Sequence, residues 1–317
     1  LNLWIFTHGD GDGLCAGALA LASHPDARVF FTNPYGLYED LAQVGSQDAV
    51  IICDIALSES YLPKLLERFS TIDENGELIY IDHHPLSEAI SRSDIPGEVI
   101  HALGSSASEL TYSFFQTKLS LLQSRIAIYG AIADYLDNTP IIHQLLRKWD
   151  KRKIYFETGI IAQGIVGLKR DYGFKREIVS KLAENVSPSF HNELSKLALE
   201  HTQEEEEVLQ ELKRYIHVVG EVAYVLNVSF SLGKTALYAR TLADALVGVS
   251  GEYRKDVVDM SLRTHEKYVD LNKILRRITP KFGGSGGGHP AAAGARIPKD
   301  KFVDFIEELN RALKDDS

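Results

Sequence analysis

The sequence predicts an α/β protein: an amino-terminal, mostly parallel sheet with helices on both faces, a helical connector, and a smaller α/β carboxy-terminal domain. Three observations carry that reading. Short apolar runs rich in Ile, Val, Phe and Tyr alternate with helical patterns through the first half of the chain, the order expected of parallel strands joined by helical crossovers. A long polar helical stretch, SPSFHNELSKLALEHTQEEEEVLQELKRYI, then interrupts the alternation. Strand and helix patterns resume beyond it, with a different charge balance. The expected division is a first domain over 1–187, a connector over 188–218 and a second domain over 219–317.

Taken in order, LNLWIFT, RVFFT, DAVIICD, ELIYID and EVIHA read as strands, being β-branched and aromatic between turn signals. LCAGALALAS, LYEDLAQV and ESYLPKLLERF read as the helices between them. Residues 104–136 read as two helical pieces. Ser106 and Glu109 give a capping-box signature ahead of LTYSFFQTKL, and RIAIYGAIADYLDN forms a second, largely buried helix. In the connector, QEEEE is a solvated face. Beyond it VAYVLNVSF and DVVDMSLR are expected strands, and KTALYARTLADAL and DKFVDFIEELNRAL expected helices. Phe302, Phe305, Ile306 and Leu309 mark the apolar stripe of the last one. In KFGGSGGGHPAAAGARIP a glycine turn is expected to lead into a helix beginning at Pro290, whose free N–H groups would offer an anion site.

Composition sets the bounds. At 317 residues, 44% apolar and 25% charged, the chain suits an ordinary two-domain globular protein. No apolar run approaches the roughly 18 residues of a membrane span, and LNLWIF is too short for a signal-peptide core; a cytoplasmic location is expected. Cys15 and Cys53 lie in apolar stretches without metal or redox spacing and are expected to be small buried residues. The net charge of −10 argues against a general duplex-DNA coat. Within 253–296, however, nine basic residues face four acidic ones, a balance of +5. Such a patch on an acidic chain suits a small or single-stranded anionic ligand.

Ionisable residues recur where apolar runs stop. THGDGDG places His8, Asp10 and Asp12 among glycines after the first strand. Asp54 closes AVIICD; Asp82, His83 and His84 close ELIYIDHH; Asp134 lies in AIADYLDN. Carboxylates crowded at one sheet edge would repel and take up protons unless cations compensate them. Carboxylate oxygens mixed with imidazole nitrogens suit a borderline-hard divalent ion such as Mn²⁺. The set is too large for one ion and fits two sharing a bridging carboxylate, the arrangement that generates hydroxide and stabilises phosphoryl oxygens in hydrolysis. In the second domain, Arg263 ends the strand VVDMSLRT, where it could grip phosphate bidentately.

Together THGDGDG, CD at 53–54, DHH at 82–84, AD at 133–134, SLR at 261–263 and GGGHPAAAG at 286–294 make the chain resemble the DHH phosphoesterase superfamily, in the branch carrying a DHHA1 domain. That group includes RecJ-like exonucleases, nanoRNase-like phosphodiesterases, phosphoadenosine-phosphate phosphatases and cyclic-dinucleotide phosphodiesterases. The resemblance implies a DHH catalytic domain over 1–187 and a DHHA1 substrate-binding domain over 219–317. It implies that His8, Asp10 and Asp54 hold one Mn²⁺, and that Asp12, Asp54, His83 and Asp134 hold the other, with Mg²⁺ as the alternative metal. Asp82 would orient the histidines, and His84 would face the scissile phosphate. Arg263, Gly287, Gly288 and His289 would hold a substrate phosphate.

The expected function is a Mn²⁺-dependent phosphodiesterase or exonuclease that hydrolyses short or single-stranded nucleic acid to nucleoside monophosphates by hydroxide attack. One alternative is turnover of a small nucleotide, such as a cyclic dinucleotide or phosphoadenosine phosphate. Another is a non-catalytic partner of the replication machinery. No oligonucleotide-binding barrel is legible, which favours short strands. His101, His143, His191, His201, His217 and His265 have no motif context and are expected to be ordinary structural or surface histidines.

Overall fold

The computed structural model describes residues 2–45, 47–168 and 170–315. These fall into two compact units, dividing after Thr202.

In the first unit five strands form a wholly parallel sheet in the order β2-β1-β3-β4-β5. They are β1 (Leu3–Thr7), β2 (Arg28–Phe31), β3 (Ala49–Cys53), β4 (Glu77–Asp82) and β5 (Glu98–His101). Eight helices and part of a ninth surround it: α1 (Gly11–Ser23), α2 (Leu37–Asp40), α3 (Leu62–Asn75), α4 (Ala107–Phe115), α5 (Ser124–Ala133), α6 (Pro140–Leu146), α7 (Lys151–Gly164), α8 (Tyr172–Ala183) and α9 (Asn192–Leu212). The strands are buried on both faces, and alternate residues sort to opposite sides, as the two-residue strand period requires. Ile5, Ile51, Cys53, Ile79 and Ile81 pack with Ala16 and Ala20 of α1 and with Ala107 and Phe115 of α4. Phe6, Val50, Ile52, Leu78 and Tyr80 pack with Leu65, Phe69 and Ile72 of α3. The α/β class with helices on both faces is therefore what the chain adopts.

α9 straddles the division between the units. Leu194 and Ala198 are buried in the first core, whereas Leu212 belongs to a small cluster with Val225 and Ala239. The helix is as polar as expected, but its first turns extend the first unit past residue 187.

The second unit is a six-stranded mixed sheet in the order β10-β11-β9-β8-β7-β6. Its elements are β6 (His217–Val219), β7 (Val222–Leu226), α10 (Leu232–Ala243), β8 (Val247–Arg254), β9 (Val257–Thr264), α11 (Leu271–Ile278), β10 (Ser285–Gly288), β11 (Ala292–Pro298) and α12 (Phe302–Asp315). Only β7 and β8 run parallel. Phe302, Phe305, Ile306 and Leu309 of α12 are buried in its core, as their spacing predicts.

One sequence expectation is overturned here. GGGHPAAAG does not start a helix at Pro290. It forms an antiparallel hairpin of β10 and β11, closed by the His289 N–H donating to the Ala292 carbonyl at 2.9 Å. Ala293, Ala295 and Ile297 alternate inward and β11 pairs with β9, so burial and strand pairing override the helix propensity of alanine. The anion site argued from a helix start is absent with it. The capping box at Ser106 is also only half made. Ser106 accepts from the Glu109 N–H at 3.1 Å, but the Glu109 carboxylate accepts instead from the Thr139 hydroxyl at 2.8 Å.

Candidate metal centre

The parallel register builds the site. Thr7 pairs with Cys53, and Cys53 with Ile81, so the residues that follow, His8, Asp54 and Asp82, stand in a row at the carboxyl rim of adjacent strands, about 4.8 Å apart in the pairing direction. Such a rim is where open parallel sheets hold their ligands. α1 begins immediately after β1. Asp10 is its N-cap, accepting from the Gly13 N–H at 2.9 Å, and Asp12 lies in its first turn. Asp134 is the C-cap of α5.

These positions bring the expected ligands together. Three trios each offer ligand atoms within 4.8 Å of one another: His8, Asp10 and Asp54; Asp12, His83 and Asp134; and Asp54, His83 and His84. Nε2 of His83 lies 3.2 Å from Asp54 Oδ1, 3.5 Å from Asp134 Oδ2 and 4.0 Å from Asp12 Oδ2. Nδ1 of His8 lies 2.8 Å from Asp10 Oδ2 and 3.9 Å from Asp54 Oδ2. Asp54 thus joins the His8–Asp10 group to the His83 group. It does so from a left-handed backbone (φ 60°) that is uncommon for a residue with a side chain. Its Oδ2 is buried without a hydrogen-bond partner. Buried polar atoms are almost always satisfied, so this orphaned oxygen, between two groups of nitrogen and oxygen donors, fits a divalent cation.

The electrostatics agree. Burial, with Asp10 and Asp12 nearby, drives the Asp54 carboxyl well above the carboxylate range. Burial also pushes Asp134 up to about 8, aided by Asp12 and Asp10. Asp12 is pushed up to about 6 by burial, even though its oxygens accept from the Ser108 N–H at 3.0 Å and the Ala107 N–H at 2.6 Å in the first turn of α4. Asp10 goes the other way. Burial would raise it, but the neighbouring His8 ring and the Gly13 N–H outweigh that and hold it below the usual range. Three carboxyls that resist ionising in one place make a cluster that divalent cations would suit.

Asp82 stands apart from this set. It is fully buried; its Oδ1 meets His84 Nδ1 at 2.8 Å, and its Oδ2 accepts from the His84 N–H at 3.2 Å and contacts the Tyr80 hydroxyl at 3.0 Å. It belongs to none of the three trios, which suits the orienting part expected of it. The low Asp82 carboxyl, where contacts with His84 outweigh burial, and the raised His84 imidazole both follow from that pair.

Two contributors carry no motif. His101 Nε2 lies 2.7 Å from the His84 carbonyl and anchors the DHH segment from β5, the structural part expected of it. Lys175 of α8 is buried, with its Nζ donating to the Gly9 carbonyl at 2.6 Å inside the THGDGDG loop. Burial lowers its pKa while Asp10 partly offsets that. The only sequence hint of either is the residue type itself.

In the second unit, Arg263 lies on β9, its Nη1 donating to the Ser261 hydroxyl and the Leu262 carbonyl, both at 2.8 Å. Gly287, Gly288 and His289 lie on the β10 end of the hairpin, where the Gly288 N–H donates to Asn272 Oδ1 at 3.0 Å. Register sets Ala292 beside Arg263 and Ala293 opposite Gly288, so the hairpin tip and Arg263 are neighbours at one end of this sheet. Cys15 and Cys53 are buried free thiols, as expected.

Comparison with known proteins agrees with this architecture. Residues 232–315 match the DHHA1 domain family. Two uncharacterized proteins of Methanocaldococcus jannaschii are 29% identical over 84 residues and 26% identical over 118 residues. These stretches span 26% and 32% of this chain but only 19% and 36% of those relatives. Among solved structures, RecJ of Thermus thermophilus in complex with Mn²⁺ superposes with a TM-score of 0.71 at 17% identity, covering 99% of this chain and 52% of RecJ. PggH of Vibrio cholerae, a pGpG-specific phosphodiesterase, gives 0.62 at 12% identity with both chains covered in full. The DHH domain of a member of the s1p family of ribosomal proteins gives 0.74 at 17%, covering 98% and 86%. Residues 232–315 thus carry the match to the DHHA1 domain family, and the chain as a whole shares the fold of these DHH-domain and RecJ structures. Among the described residues, no helix is long and apolar enough to cross a membrane.

Proposed function

We propose that this chain is a divalent-metal-dependent phosphodiesterase that hydrolyses short or single-stranded nucleic acid to nucleoside monophosphates. The observation that carries this is the buried Asp54 Oδ2, without a hydrogen-bond partner, between the His8–Asp10 group and the His83–Asp12–Asp134 group. In this reading His8, Asp10 and Asp54 hold one Mn²⁺ or Mg²⁺. Asp12, Asp54, His83 and Asp134 hold the second. When bound, such a pair acidifies water and stabilises charge on phosphoryl oxygens.

The chain's own residues do the rest. Asp82 fixes the His84 ring through Nδ1 and so sets which way His84 can present a proton to a phosphate oxygen. Arg263 and His289, with Gly287 and Gly288 allowing close backbone approach, are the candidates for gripping a substrate phosphate. Short substrates are favoured by likeness to PggH, a pGpG-specific phosphodiesterase whose fold the chain shares at a TM-score of 0.62. The same observation keeps small nucleotides as the second reading.

The test is to give the purified protein Mn²⁺ or Mg²⁺ with end-labelled RNA and DNA of two to five nucleotides, a long single strand, a cyclic dinucleotide and phosphoadenosine phosphate. Release of mononucleotides, fastest from the short strands, is expected. No release from any strand would end the first reading, and activity confined to the small nucleotides would move it to the second.

A further inference from the structure

We propose that Tyr135 is a stacking platform for a nucleobase, standing directly beside the acidic cluster. The inference rests on the nucleotide-hydrolysing reading above and names the part of the site that reads the base. Tyr135 follows Asp134, whose Oδ2 is 3.5 Å from His83 Nε2. Its backbone is left-handed, with φ 58°, and the residue is 79% exposed. A bulky residue in that conformation is strained. Glycine is the usual residue just past a helix end of this kind. The turn is fixed nonetheless: the Tyr135 N–H donates to the Ile132 carbonyl at 3.1 Å and the Leu136 N–H to the Ala131 carbonyl at 2.8 Å.

Folding alone explains neither choice. An exposed ring buries little apolar surface, and the left-handed backbone disfavours any side chain with a Cβ. Both occur one residue from Asp134. Tyr35 and Leu103 are also exposed, in the loops that follow β2 and β5. Those are the two edge strands, and the Tyr35 N–H is held by Asn33 Oδ1 in an ordinary side-chain turn. Tyr135 alone of the three adjoins a member of the cluster.

The chemistry favours a base. A carboxylate-rich surface repels phosphate wherever cations do not compensate it, whereas a neutral aromatic face beside it accepts any base without selecting sequence. A terminal nucleotide with its phosphate at the cluster would lay its base on this ring.

The experiment compares wild type with Tyr135→Ala, Tyr135→Phe and Tyr135→Gly. The substrates are short strands carrying either a normal or an abasic residue at the cleaved end. Tyr135→Ala and Tyr135→Gly are expected to raise KM by roughly 5- to 100-fold on the normal strand and to leave the abasic strand unchanged. Tyr135→Phe should behave as wild type. Tyr135→Gly should melt above Tyr135→Ala, because it relieves the backbone, so a weaker KM in a more stable protein excludes unfolding as the cause. Equal KM for Tyr135→Ala and wild type on the normal strand would overturn the inference while leaving the phosphodiesterase reading intact. So would equal losses on both strands. If wild type cleaves nothing, binding of the labelled strand in the presence of Ca²⁺ takes the place of KM. Absence of binding as well would remove both readings.

Discussion

Asp54 gathers several unfavourable features in one residue: a left-handed backbone, near-complete burial, and an oxygen with no hydrogen-bond partner. Without cations, its charge is held among other carboxylates. Asp54→Asn should therefore leave the metal-stripped protein as stable as wild type or more stable, while removing the stabilisation that Mn²⁺ gives. For wild type that gain is about 2.7 kcal/mol at a hundredfold excess over Kd. Calorimetric melting with and without Mn²⁺ checks both halves, and a variant that still gains stability from Mn²⁺ would contradict the bridging assignment. Lys175 acts on the same loop from outside the ligand set. Lys175→Met leaves the Gly9 carbonyl without its donor, and residues supporting a ligand shell commonly change metal affinity 10- to 100-fold. We expect Mn²⁺ affinity, measured by titration calorimetry, to fall about tenfold, with Lys175→Arg intermediate. The candidate ligands were legible because each closes a motif at a strand or helix end. Lys175 and His101 were not, because their contacts join positions 166 and 17 residues apart and depend on packing that no local pattern encodes.

Secondary elements were legible where one period dominates. The five parallel strands and the stripe of α12 follow directly from their apolar spacing. GGGHPAAAG misleads because glycine, proline and alanine together carry a helix-start signal, while the β9 pairing partner that makes this segment a strand lies about thirty residues upstream. A different glycine shows how closely an element can control the site. A Cβ at Gly130, within α5, would lie 2.6 Å from Asp12 Oδ1 and inside the Ser108 hydroxyl contact. α5 and α4 therefore grip Asp12 between them, and only glycine permits that approach. Gly130→Ala is expected to cost about 1–3 kcal/mol of stability by overpacking. It should also weaken Mn²⁺ binding beyond what that loss explains, because it pushes Asp12 off the α4 N–H groups. Urea unfolding and metal titration measured on the same variant separate the two effects. Full Mn²⁺ affinity in a destabilised Gly130→Ala protein would show that Asp12 is not a ligand.

At the scale of the whole molecule the cluster makes stability depend on pH in an unusual direction. Asp12 and Asp134, raised to about 6 and about 8, bind protons in the folded metal-free chain that the unfolded chain has released above its ordinary carboxylate range near pH 4. These two groups therefore lower stability as pH rises from about 4 to 8, since each binds more protons folded than unfolded across that window. His8 and His84 act in the same direction. Asp10 for His8, and Asp82 against the lowering effect of burial for His84, raise their imidazoles, and their stabilisation is lost as pH climbs through the raised values. Asp10, Asp82 and Asp48 are held low, so their contributions are present above pH 4 and disappear only in stronger acid. Asp48 owes its shift to the Asn2 and Gly45 N–H groups and the Trp4 indole. The metal-stripped protein is thus expected to melt highest near pH 4–5 and progressively lower toward pH 8. Saturating Mn²⁺ reverses the trend, because cations require these same groups deprotonated and bind more tightly as pH rises. Asp134→Asn removes the group with the higher of the two values and should flatten the metal-free slope between pH 6 and 8 in particular. Calorimetric melting at half-unit pH steps, with and without Mn²⁺, tests this. Parallel profiles for the metal-free and metal-loaded protein would mean that these carboxylates are not where the cations bind.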